Sequence, residues 1–85
     1  MDDTLLADGF EEAFVGYFQR CSKPLVACYD YGKCIEILVR RDGMSVDEAV
    51  EYLEYNAVGA WVGDGTPAYL HLCSLEEFNA QADYQ

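Results

Sequence analysis

"PLVACYDYGKCIEILVRRDG", residues 24 to 43, decides the fold, because the hydrophobic period changes within it at one residue. Pro24 cannot continue a helix, and the run Leu25 to Tyr29 is short, apolar and bounded, as a buried strand is. Asp30 then supplies a side-chain acceptor for the free N–H groups of a helix start. From there Tyr31, Cys34, Ile35, Leu38 and Val39 recur at helical spacing. Arg40 and Arg41 sit where the macrodipole favours cations, and Gly43 ends the helix. A strand leading straight into a helix calls for helices packed on a sheet.

Downstream, "SVDE" opens a second helix. Ser45 and Glu48 form a capping box, Asp47 and Glu48 place charge at the positive helix end, and Val46, Ala49, Val50, Leu53 and Ala57 form the core stripe. The two helices make a hairpin through "DGMS". In "AVGAWVGDGTPAY", residues 57 to 69, Val58 to Val62 either finish the helix or begin a strand, and "GDGT" is turn chemistry. "PAYLHLC" alternates Ala68, Leu70 and Leu72 against Tyr69, His71 and Cys73, which predicts a strand over residues 68–73 paired with the strand at 25–29. Ser74 and Glu77 repeat the capping pattern and start a short helix through Phe78 to Ala82.

Upstream, Asp8 and Glu11 have capping-box character, and Phe10, Ala13, Phe14, Tyr17, Phe18 and Cys21 follow at helical spacing. These predict a first helix over residues 9–20, with an earlier start at Asp3 through Leu5 and Leu6 as the longer version. The sum is an α+β chain, residues 1–85 as a single domain, with three to four helices packed on a small two- or three-stranded antiparallel sheet.

A composition of 52% hydrophobic and 14% aromatic residues supports a packed globule despite a net charge of -11. The first 43 residues hold eight acids and all five bases; the remainder holds eight acids and no Lys or Arg. Such a surface repels nucleic acid and anionic membranes, so neither is expected as a direct partner, while a basic protein is. Acidic charge also serves plain solubility. The apolar runs are too short for a membrane span, and "MDDTLLADGF" has acid where a signal peptide carries its basic region, so a cytoplasmic setting is expected. Cys21, Cys28, Cys34 and Cys73 are then expected as free thiols in or near the core.

Little points to catalysis or cofactors. The glycine-rich loop lacks the lysine of a phosphate-binding loop, carries Asp64, and precedes a strand rather than a helix. Its Trp61 reads as a buried core anchor before it reads as a recognition residue. The cysteine spacings lack the paired ligands of structural zinc. A nucleophilic pair would have to join Cys34 or Cys73 to His71, and on a strand the i and i+2 side chains of His71 and Cys73 stand about 6 to 7 Å apart, too far for a direct hydrogen bond. No catalytic residue, metal or cofactor is therefore expected; a small thiol or metal protein is the weakest of three classes.

The acidic row Asp47, Glu51, Glu54 on the second helix, flanked by Tyr52 and Tyr55, carries the leading functional reading. It repeats every 5 to 6 Å or so, against about 3.4 Å per phosphate along a DNA strand, so imitation of a strand needs further carboxylates from Asp64, Glu76 or Glu77. The block from Tyr29 to Tyr69, with "YDYGKC", "RDGMS" and "EYNAVGAWVG", resembles a family of short acidic bacterial and phage proteins with no assigned activity. The resemblance carries no catalytic residue. What it implies by analogy is an inhibitor of host defence nucleases, anti-CRISPR or anti-restriction, that occupies a nucleic-acid-binding groove with an anionic surface. Asp47, Glu51, Glu54 and Asp64, with Tyr55 and Trp61 as aromatic contacts, are the expected partner-binding residues. The alternative is a self-associating structural or regulatory homodimer that buries an exposed aromatic face.

Overall fold

The computed structural model describes residues 4–81; the Asp3 cap and the helix end at Ala82 lie outside the described residues. Three strands, β1 (Phe14–Phe18), β2 (Val26–Asp30) and β3 (Ala68–Leu70), and three helices, α1 (Tyr31–Asp42), α2 (Val46–Leu53) and α3 (Leu75–Gln81), give an α+β fold. The sheet order is β1-β2-β3.

β2 is the central strand and four of its five residues are buried. It passes directly into α1, where the Asp30 side chain accepts from the Lys33 N–H at 3.2 Å, as a helix N-cap requires. Gly43 closes the helix in the left-handed conformation at φ 70°, which a side chain would strain. Ser45 opens α2 with a complete capping box: its hydroxyl accepts from the Glu48 N–H, and the Glu48 carboxylate accepts from the Ser45 N–H.

The expected helix over residues 9–20 is not formed. A single 3-10 turn at Glu11–Ala13 leads instead into β1, antiparallel to β2. "FVGYF" is apolar at nearly every position, so its spacing satisfies a helix as easily as a strand, and two other terms decide. Val15 and the aromatic residues favour a pleated surface, and Gly16 would cost a helix interior about 1 kcal/mol relative to alanine. In the strand Gly16 lies at φ 148°, at the irregularity between Phe14 and Gly16 where the register against β2 shifts.

The sheet is mixed rather than antiparallel, for β3 runs parallel to β2. The α1–α2 hairpin and the loop after it carry the chain back to the starting edge of β2, so the returning strand points the same way. β3 also stops at Leu70, short of the expected end at residue 73. Asp30, the partner of Leu70, is the last residue of β2 before α1, and beyond it there is no strand to pair with.

One face of the sheet packs against the helices. Ala27 and Tyr29 join Cys34, Ile37 and Leu38 of α1, Ala49 and Leu53 of α2, and Phe10 and Ala13. Ile37, not among the expected α1 core residues, is buried, while Val46 and Val50 of the expected α2 stripe are exposed. The Tyr29 ring meets Phe14 edge-on at 5.7 Å and Tyr69 stacked at 5.9 Å, and its hydroxyl accepts from the Ala7 N–H. Among the described residues no helix is long and apolar enough to cross a membrane.

Candidate functional site

All six residues expected to bind a partner are exposed, and the structure divides them between two grooves. Glu51 and Tyr55 line the first with Asp42, Glu48, Tyr52 and Asn56, where the α1–α2 turn meets the outer face of α2. Tyr55, 84% exposed, belongs to the widened π turn Glu54–Val58 that ends α2. The Gly59 N–H closes that turn on the Glu54 carbonyl, and a side chain at Gly59 would meet the same oxygen at 3.1 Å. Asp47 and Glu54 extend the row beyond the groove: Asp47 is in the first turn of α2, and Glu54 accepts a 2.7 Å hydrogen bond from the Tyr31 hydroxyl.

Trp61 and Asp64 line the second groove, of about 390 Å³, with Phe18, Arg20, Lys23, Val26 and Pro67 among its walls. Trp61 is 71% exposed, so the expected core anchor is absent from the core. The reason is local. The Val62 N–H donates to the Thr66 hydroxyl, which donates to the Gly63 carbonyl, and Gly63 at φ 124° turns the chain. That tight loop leaves Trp61 outside a core whose space Tyr29, Leu38 and Leu53 already fill. Asp64 pairs with Lys23 at 3.2 Å.

The distribution of cations separates the two grooves. Lys23 pairs with Asp64, Lys33 with Glu36, Arg40 with Glu12, and Arg41 with Asp42; Arg20 lies over the Phe18 ring. Among the described residues Asp47, Glu48, Glu51 and Glu54 form no ion pair. The hydrogen bond to Glu54, together with burial and the charge of the same carboxylate, pushes the Tyr31 phenol up to about 12, so it keeps its proton at neutral pH.

The thiols divide by burial. Cys28 and Cys34 are buried, and Cys21 and Cys73 are exposed, which corrects the expectation that all four lie in or near the core. Burial pushes the Cys34 thiol up to about 11, with the Asp30 carboxylate adding to it, and raises Cys28 as well. Such thiols are poor nucleophiles. His71 stacks on Tyr31 with ring centroids 4.2 Å apart, past the end of β3. Among the described residues no three metal-ligating side chains converge.

Sequence reasoning passed over Phe18, Arg20 and Lys23 as site residues because a helix over residues 9–20 hides the groove they build with Trp61. Glu48 was visible as a cap, but only the fold shows it lining the same groove as Glu51. Compared with protein-family models, curated proteins and solved structures, the chain matches none.

Proposed function

We propose that the chain is a non-enzymatic protein-binding module whose acidic α2 face docks on the basic, nucleic-acid-binding surface of another protein, in the manner of a phage-type inhibitor of a host defence nuclease. The observation that carries this reading is the uncompensated charge of Asp47, Glu48, Glu51 and Glu54, while four of the five cations are spent on other carboxylates. The four span about 10 Å of helix axis in steps of about 1.5, 4.5 and 4.5 Å, a dense anionic stripe though not the even spacing of phosphates on a DNA strand. Two are held in place, Glu48 by the Ser45 N–H and Glu54 by the Tyr31 hydroxyl, which limits the side-chain entropy lost on docking. Tyr52 and Tyr55 flank the row with ring surface. A cytoplasmic partner suits exposed, unpaired thiols at Cys21 and Cys73.

The test is retention of a DNA-binding nuclease on the immobilised protein at low and high salt, with duplex DNA as competitor. Binding that weakens steeply with salt, yields to DNA, and is lost in the Asp47→Lys/Glu51→Lys/Glu54→Lys variant is the expected result. Binding that survives the triple substitution overturns the reading.

A further inference from the structure

α3 is seven residues long, yet isolated helices shorter than about 12 to 15 residues are marginal in water and need tertiary packing to persist. Among the described residues little packs on it: no residue of α3 is buried, and Leu75 and Phe78, one turn apart on the same side, are 74% and 56% exposed. A complete capping pair, the Ser74 hydroxyl with the Glu77 N–H and the Glu77 carboxylate with the Ser74 N–H, nevertheless specifies the helix. The result is a formed, acidic, amphipathic helix with an unfilled apolar side.

The Trp61 groove has the complementary character. Its walls are the apolar surfaces of Phe18, Val26, Trp61 and Pro67, and it collects Arg20 and Lys23, two of the five cations of a strongly anionic chain. Lys23 answers Asp64, which leaves Arg20 as excess positive charge beside an apolar trough. An acidic helix with two apolar anchors fits that description, and α3 carries Glu76 and Glu77 between Leu75 and Phe78.

The two features occupy opposite ends of the sheet. The groove lies by Val26 and Ala68, where β2 and β3 begin, whereas α3 follows the Leu70 end, and His71, stacked on Tyr31, holds its connection there. Two copies placed antiparallel bring the groove end of each against the α3 end of the other, so one two-fold axis satisfies both contacts. We propose that the chain forms a reciprocal dimer in which Leu75 and Phe78 of each copy dock in the Trp61 groove of the other, with Glu76 toward Arg20. This surface shares no lining residue with the acidic α2 groove, so its failure leaves the docking of α2 on a basic partner standing.

Sedimentation equilibrium from micromolar to millimolar protein, with Trp61 emission followed over the same range, tests the proposal. A dimer is expected, with emission moving to shorter wavelength as Trp61 is covered. Phe78→Glu is expected to weaken association at least roughly tenfold without changing the cooperative unfolding of the monomer. Arg20→Glu weakens it too, and Glu76→Arg, which leaves the Ser74–Glu77 capping pair intact, restores association to the Arg20→Glu variant. Leu75→Ala gives a milder second probe of the same contact. A wild-type monomer at millimolar concentration, a dimer indifferent to Phe78→Glu, or a monomer with Trp61 already covered because α3 folds onto its own groove would each overturn it.

Discussion

The Tyr31 hydroxyl donates to the Glu54 carboxylate at 2.7 Å, joining the first residue of α1 to the end of α2 across the helical hairpin. Replacing Tyr31 with Phe deletes this bond and is expected to cost about 0.5 to 1 kcal/mol at neutral pH, read by urea denaturation. The phenol is pushed up to about 12 in the folded protein from an ordinary value near 10. A raised folded value means that the stabilisation is complete below about pH 10 and is lost as pH rises toward 12. The stability gap between wild type and Tyr31→Phe should therefore be constant from pH 7 to 9 and close above about pH 10. A gap that widens with alkali contradicts the bond.

Leu38 and Leu53 are fully buried between sheet and helices. Either one changed to Ala should lose about 3 kcal/mol, a large share of the stability of a chain this small. Leu75→Ala, on the unburied α3, should leave the denaturation midpoint nearly unchanged at concentrations where the protein is monomeric. Equal losses at Leu53 and Leu75 would mean that α3 belongs to the domain core.

The two capping boxes offer a sharper comparison because their chemistry is the same. Ser45→Ala removes an acceptor from a helix that contributes Ala49 and Leu53 to the core, and should lower global stability by about 1 kcal/mol. Ser74→Ala removes the same acceptor from a helix that buries nothing. Its expected effect is a small loss of helical signal in circular dichroism, with the unfolding transition unmoved in monomer.

Thiol chemistry reports burial independently. A disulfide reagent at neutral pH should modify Cys21 and Cys73 promptly and leave Cys28 and Cys34 protected until denaturant is added. Four thiols reacting together in the native protein would contradict the packing of Cys34 against the α1–α2 core.

From Asp30 to Leu53 the structure was legible in the sequence, since each boundary there is set by a side chain acting on nearby backbone: Asp30 on Lys33, Gly43 by its own φ, Ser45 on Glu48. The same holds for Ser74 and Glu77. What was hidden depends on distant partners. β1 is a strand because β2 lies beside it, a fact that the evenly apolar "FVGYF" does not contain, although Gly16 within it argued against a helix. β3 ends at Leu70 because β2 turns into α1 forty residues earlier in the chain. The acidic row was readable from helical spacing, but the exposure of Trp61 was not, because it follows from how tightly Gly63 and Thr66 turn the loop. The division of the six expected partner-binding residues between two grooves follows from the same loop, and no spacing rule carries it.

The central place of β2 also sets an order on folding. Its contacts with β1 close a short loop, Phe18 lying eight residues from Val26, whereas its parallel pairing with β3 joins Cys28 to Ala68 only after the whole helical hairpin has been made. Short closures form early and long ones late. During synthesis one margin of β2 therefore waits, its backbone donors and acceptors unpaired, until residues 68–70 leave the ribosome. In that interval the nascent chain offers an apolar strand edge to whatever is near it. A product that stops before Ala68 keeps that edge for good, so truncation in the "GDGTP" turn yields an aggregating chain rather than a smaller version of the same protein.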